Sequence, residues 1–358
     1  MASYLGHAGD PKAARDLQEK IACARERVVG AEHPDTLTAR ADLAMWTGMA
    51  GDPAAARDMY AELLPARERL LGPEHPDTLA AVSNLARWAG EGGDVTAARD
   101  MYARLVLARE RLLGREHPGT LIARANLAYF TGIAGDPAAA RDMYAELLPI
   151  RERVSGPEHP ATLTTRGNLA RWTGQAGDAE AARVMLTHLV AADERLRGPE
   201  HPDTLTDQAN LAYTTGEAGD AAAARDMYAA LLAAREGLLG PEHPYVLTDR
   251  ANLGRWTGEA GDAAAARDMY AALLPAREQV SGPDHPETLA TRRGLARWTG
   301  EVGHPVAARE MLTSLLRDYE RILGPDHPDS RATRGDLASW AETARPAARS
   351  RNTSAKPG

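Results

Sequence analysis

The chain has 358 residues, 44% of them hydrophobic, and a net charge of −8, with an isoelectric point near 5.8; this balance excludes nucleic acid as the main partner, which calls for a basic face. The single cysteine, Cys23, excludes an internal disulfide and fits a reducing cytoplasm. Residues 1–10 lack the basic and long apolar regions of a signal peptide, and no apolar run is long enough to span a bilayer, so a cytoplasmic protein without a membrane partner is predicted.

A His-Pro pair recurs at His33, His75, His117, His159, His201, His243, His285 and His327, every step being 42 residues. So strict a period predicts one elongated array of stacked supersecondary units rather than two or three globules. Only one Phe is present, and Ala and Leu carry much of the apolar content, which suits packed helices.

In chain order, residues 1–7 read as the last turns of a helix, with Tyr4 and Gly6 aligned to Trp46 and Gly48, and a second helix occupies about 11–29. Seven complete helix pairs across 34–324 then start at Pro34, Pro76, Pro118, Pro160, Pro202, Pro244 and Pro286. The first member, helix A, opens on Pro followed by Asp and Thr, as at Pro76-Asp77-Thr78, a good helix start. Leu79, Val82, Leu85, Ala86 and Ala89 form its apolar side, while Ala80, Ser83, Asn84, Arg87 and Glu91 form a small, polar second face. A Gly-Asp turn leads into helix B, where Ala56, Met59, Tyr60, Leu63, Leu64 and Arg67 make a core-facing stripe. Helix B ends at Gly72 with Pro73 beyond. Pro65, Pro149 and Pro275 lie inside helix B, where each removes a hydrogen bond and predicts a bend rather than a break. A final lone helix A covers 328–343, so the solenoid spans 1–343; residues 344–358 carry Arg345, Arg349, Arg351 and Lys356 without an acid and predict a disordered basic tail.

Asn84-Leu85-Ala86 in helix A, glycine at the turn and Ala56-Arg57-Asp58-Met59-Tyr60 in helix B resemble tetratricopeptide repeats. The 42-residue unit with the connector from Arg67 to Leu79 resembles the kinesin light chain type, a form abundant in actinobacterial proteins and often found beside a nucleotide-binding signalling ATPase domain. The resemblance implies an all-α fold, a right-handed superhelical solenoid of antiparallel helix pairs whose helix A faces line a concave groove. Departures are local: Thr214 replaces the aromatic residue of helix A, Tyr245-Val246 replaces Asp-Thr, and Asp193 replaces an arginine of helix B.

The eight histidines cannot share a metal, because equivalent loops are displaced by a whole repeat and ligand bonds are only about 2 Å long; they read instead as loop residues that pack or hydrogen-bond at the start of helix A. There is no phosphate loop, no His-Glu-x-x-His and no activated nucleophile, so neither catalytic residues nor a cofactor are expected. Trp46, Trp88, Trp172, Trp256, Trp298 and Trp340 read as core. The arginines Arg15, Arg57, Arg99, Arg141, Arg183, Arg225, Arg267 and Arg309 read as inter-helix ion-pair residues.

Nothing in the core accounts for the ladder Asn84, Asn126, Asn168, Asn210 and Asn252, flanked by Asp42 and Gly294, or for Arg87, Tyr129, Arg171, Tyr213, Arg255 and Arg297 three residues on. In kinesin light chain relatives this asparagine resembles a clamp for the backbone of an extended peptide, and the chemistry suits it, since an amide offers a donor and an acceptor. The expectation is a non-enzymatic scaffold binding proteins or extended peptides with acidic residues, as the sensor or adaptor part of a signalling assembly. The alternative reading is a structural module that self-associates head to tail through its unpaired terminal helices.

Overall fold

The computed structural model describes residues 10–343. The chain divides into two compact units, Met1–Asp178 and Ala179–Gly358. Among the described residues the first holds α1 (Pro11–Val29), α2 (Pro34–Met49), α3 (Pro53–Leu71), α4 (Pro76–Glu91), α5 (Val95–Leu113), α6 (Pro118–Ile133), α7 (Pro137–Ser155) and α8 (Pro160–Gln175). The second holds α9 (Ala179–Arg197), α10 (Pro202–Glu217), α11 (Ala221–Leu239), α12 (Pro244–Glu259), α13 (Ala263–Ser281), α14 (Pro286–Glu301), α15 (Pro305–Leu323) and α16 (Pro328–Thr343). All described secondary structure is helical, and each unit is a solenoid of antiparallel helices in which the main contacts join chain neighbours. The terminal helical remnant expected over 1–7 and the basic tail expected over 344–358 lie outside the described residues.

The punctuation explains why the chain breaks where it does. Each even-numbered helix from α2 to α14 has proline in its first turn and histidine as its N-cap; the Nδ1 of His75 accepts from the Asp77 amide at 3.2 Å, and that of His159 from the Ala161 amide at 3.1 Å. The imidazole lone pair thus does the work that a Ser or Asp oxygen does in most caps. Helices α3, α5, α7, α11 and α13 are capped by aspartate, as Asp52 accepts from the Ala55 amide at 2.9 Å. Helix α3 stops at Gly72, whose φ of 92° only glycine adopts easily, with its amide on the Glu68 carbonyl at 3.0 Å. Helices α3, α7 and α13 run past Pro65, Pro149 and Pro275 to Leu71, Ser155 and Ser281 without a break.

Within each unit the core is a series of similar clusters that recur with the repeat. Around Tyr144, the residues Leu121, Ala128, Ala140, Leu147 and Trp172 close on one another with little access to water. Five tryptophans of the helix A series, Trp46, Trp88, Trp172, Trp256 and Trp298, are buried, and Trp340 packs on the last cluster. From Trp88 onward each ring presses on the glycine of the preceding helix A: a Cβ on Gly132 would lie 2.4 Å from the Trp172 ring, and one on Gly216 would lie 2.5 Å from Trp256. Glycine there sets how closely successive A helices approach.

Two side-chain assignments change. The arginines expected to pair between helices instead reach along their own helix: Arg15, Arg57, Arg99, Arg141, Arg225 and Arg267 pair with the aspartate that follows each, and Arg183 with Glu180. The pairing acid lies one or three residues away on the same helix, and these pairs are solvent-exposed, so they add little to stability. The helix-to-helix arginines are another series, ten residues further on. Arg67 donates to the Asp77 carbonyl at 2.7 Å and Arg109 to the Gly119 carbonyl at 2.6 Å. Arg67, Arg151, Arg235 and Arg277 are all buried.

Candidate functional site

The polar second face of helix A is held from beneath by the tyrosine of helix B. Tyr60 on α3 donates to the Ala41 carbonyl of α2 at 2.8 Å and accepts from Nδ2 of Asn84 on α4 at 3.1 Å, so one hydroxyl ties two A helices together. Burial pushes that hydroxyl up to about 12, against the hydrogen bond from Asn84, and keeps it a donor. Tyr102, Tyr144, Tyr228 and Tyr270 repeat the contact, to Ser83, Ala125, Ala209 and Ala251. Tyr102 is also hydrogen-bonded to Asn126.

In the first unit Asn84, Asn126 and Asn168 are half-buried, and Asn168 donates to the Thr164 carbonyl at 3.1 Å. In the second, Asn252 is half-buried and Asn210 is exposed, hydrogen-bonded to Asp207. Asn84, Asn126, Asn168 and Asn210 are therefore each already hydrogen-bonded to the scaffold. Asp42, at the start of the ladder, has its carboxyl raised by burial, against the charges of Arg25 and Arg67.

Three residues on, the guanidinium groups lie over aromatic rings. Arg87 sits 4.6 Å from the Trp88 ring centre and Arg297 4.5 Å from that of Trp298. Arg171 covers Trp172 at 5.0 Å and Tyr129 at 5.7 Å, and Arg255 covers Trp256 at 4.4 Å and Tyr213 at 5.2 Å. The buried indoles thus also hold the outward arginines in place, a cation–π use of the core that spacing alone did not reveal. Acids answer most of these cations: Arg87 pairs with Glu91 at 2.7 Å, Arg255 with Glu217 at 2.6 Å and Arg297 with Glu259 at 2.8 Å.

The eight histidines of the 42-residue series cap helices, and among the described residues no three His, Cys, Asp or Glu side chains gather as metal ligands. Two buried ionic arrangements escaped the sequence reading. Arg235 on α11 reaches both oxygens of Asp249 on α12, at 2.9 and 2.8 Å, and burial raises the Asp249 carboxyl even with Arg235 against it. One repeat earlier Asp193 stands where that arginine would be, beside Asp207. Burial first, then the hydrogen bond and charge of Asp193, push Asp207 up to about 7. The signal available in the sequence was the 42-residue recurrence of Arg25, Arg67, Arg109, Arg151, Arg235 and Arg277, broken by Asp193.

The sequence profile of the tetratricopeptide repeat matches residues 1–69, 126–195, 210–279 and 258–321, and a second tetratricopeptide profile matches 78–119. No curated protein is similar to the chain at a significant level. Among solved structures, a Podosopora anserina protein described as kinesin light chain with nearly identical TPR-like repeats is 25% identical, with a TM-score of 0.51 over 57% of this chain and 97% of that one. A Rap protein complexed with Competence and Sporulation Factor shares 12% identity and a TM-score of 0.60, covering 96% of both chains. A Pyrococcus horikoshii signal transduction ATPase with a tetratricopeptide repeat sensor shares 13% identity and a TM-score of 0.58, over 95% of this chain and 51% of that one. With profiles matched over most of its length and a helical array built on the same repeat, the chain belongs to the tetratricopeptide repeat family.

Proposed function

We propose that the chain is a protein- or peptide-binding scaffold that receives an extended segment on the helix A face, as the sensor or adaptor part of a signalling assembly. Tetratricopeptide repeat proteins are generally non-enzymatic scaffolds, and concave repeat faces are what solenoids use to bind. The observation that carries the reading is the repeated placement of a surface amide beside a ring-supported arginine or tyrosine, at Asn84 with Arg87, Asn126 with Tyr129, Asn168 with Arg171, Asn210 with Tyr213 and Asn252 with Arg255. An amide held by a neighbouring hydroxyl, as Asn84 is by Tyr60 and Asn126 by Tyr102, needs little ordering to meet a peptide group, and the rings beside it add contact area. The Rap complex and the ATPase sensor are in keeping with this use of the fold. On the same reading the exposed, unpaired thiol of Cys23 is in keeping with a reducing cytoplasm.

Replacing Asn126, Asn168 and Asn210 together by alanine tests the proposal. Capture of extended peptides from a random synthetic pool should fall about tenfold or more while the helical circular dichroism signal is kept. Unchanged capture by the triple variant would refute groove binding.

A further inference from the structure

The two aromatic–arginine sites built on tyrosine are copies of one another, separated by two repeats. In the first unit Tyr129 and Trp172 meet edge to face at 6.2 Å with Arg171 over both; in the second Tyr213 and Trp256 meet at 5.8 Å with Arg255 over both. One position differs in kind. Arg255 is answered by Glu217, 38 residues earlier on the preceding helix A, and it also donates to the Tyr213 hydroxyl at 3.0 Å. The same offset places Glu259 against Arg297 and Met49 against Arg87, which turns to Glu91 instead. Counted back 38 residues from Arg171, the position holds Ile133, which is 40% exposed.

Arg171 is therefore a cation held on two rings, exposed, and without an ion pair among the described residues, while its three counterparts are neutralised from within. A guanidinium supported on aromatic faces keeps its donor edge outward and loses little freedom on meeting a carboxylate. An apolar neighbour at Ile133 offers the approaching group no competing acceptor. We propose that Arg171, with Ile133 and Tyr129, forms the acid-reading position of the binding face, taking one Asp or Glu side chain of an extended peptide, and that Glu217 and Glu259 act as built-in occupants that close the equivalent positions at Arg255 and Arg297. This rests on the peptide-binding reading above and adds to it where charge is read, at one position rather than four.

The test uses the full chain and two bead-bound nonapeptide pools of random sequence, one with Glu fixed at the centre and one with Gln. The Glu pool should be retained about fivefold better, a modest factor because the pair is partly exposed. Ile133→Glu, which installs the occupant found at Glu217, should abolish the discrimination, as should Arg171→Met. Glu217→Ile should raise it by freeing Arg255. Equal retention of both pools by the unaltered chain, or a Glu preference that survives both Ile133→Glu and Arg171→Met, would overturn the inference. If that happens while the triple asparagine variant still loses both pools, the acid-reading position falls and the groove stands; if the triple variant retains both pools, the groove reading falls and takes this one with it.

Discussion

At the scale of single residues, the same residue type is asked for opposite things, and the surroundings decide which. Gly132 faces the Trp172 ring, whereas Gly237, inside α11, has nothing within 4 Å of where a Cβ would be. Gly132→Ala should therefore lower stability by about 1–3 kcal/mol through overpacking. Gly237→Ala should raise it by about 0.5–1 kcal/mol through helix propensity; urea denaturation of the two variants reads both signs. The Asp193–Asp207 pair makes a second prediction. Because the Asp207 carboxyl rises to about 7 in the folded chain, folding favours its protonated form. Its contribution is fully present at acid pH below the ordinary aspartate range and is lost as pH rises toward 7. Asp207→Asn should flatten that decline and give a higher Tm than the parent above pH 7, with little difference near pH 4; melting curves across this range decide it.

At the scale of the element, the helix boundaries were legible because they are written in backbone chemistry. Pro76 can only begin a helix comfortably and Gly72 can only end one, so the period and phase of the units followed from the connector alone. What the pattern could not settle was the direction of long side chains. Arg57 and Arg67 both sit on α3, yet Arg57 bonds Asp58 beside it while Arg67 crosses to α2 and α4, donating to the carbonyls of Leu37 and Asp77. Choosing between them needs the partner helix in place. The candidate site was legible to the same degree: its asparagines and arginines were named from their recurrence, but that Glu91, Glu217 and Glu259 already occupy three of the cations depends on contacts 4 or 38 residues apart. Capping carries its own prediction. The N-cap of helix α15 is His304, where the other B helices with a side-chain cap have aspartate, and His304 forms no cap hydrogen bond. His304→Asp should stabilise the second unit by about 1 kcal/mol, measured by chemical denaturation.

At the scale of the whole molecule, the main contacts within each unit run between helices adjacent in the chain, with lighter ones between successive A helices. Stability then accumulates repeat by repeat rather than from a single centre, and damage at one position should stay near it. Hydrogen exchange on Gly132→Ala should show the greatest loss of protection in α6, α7 and α8, with the outer helices little changed. Local contacts of this kind also favour fast folding without long-range pairing.

The wedge of each indole on the glycine of the helix before it has a genetic corollary. Since ring, glycine and cap all return at the same spacing, an in-frame recombination that excises one 42-residue unit, such as residues 77–118, joins Pro76 to Gly119 and leaves Phe130 facing Gly48 in place of Trp88. Copy number can thus change without disturbing the joints, and a chain shortened by that unit should keep the parent's helicity per residue by circular dichroism.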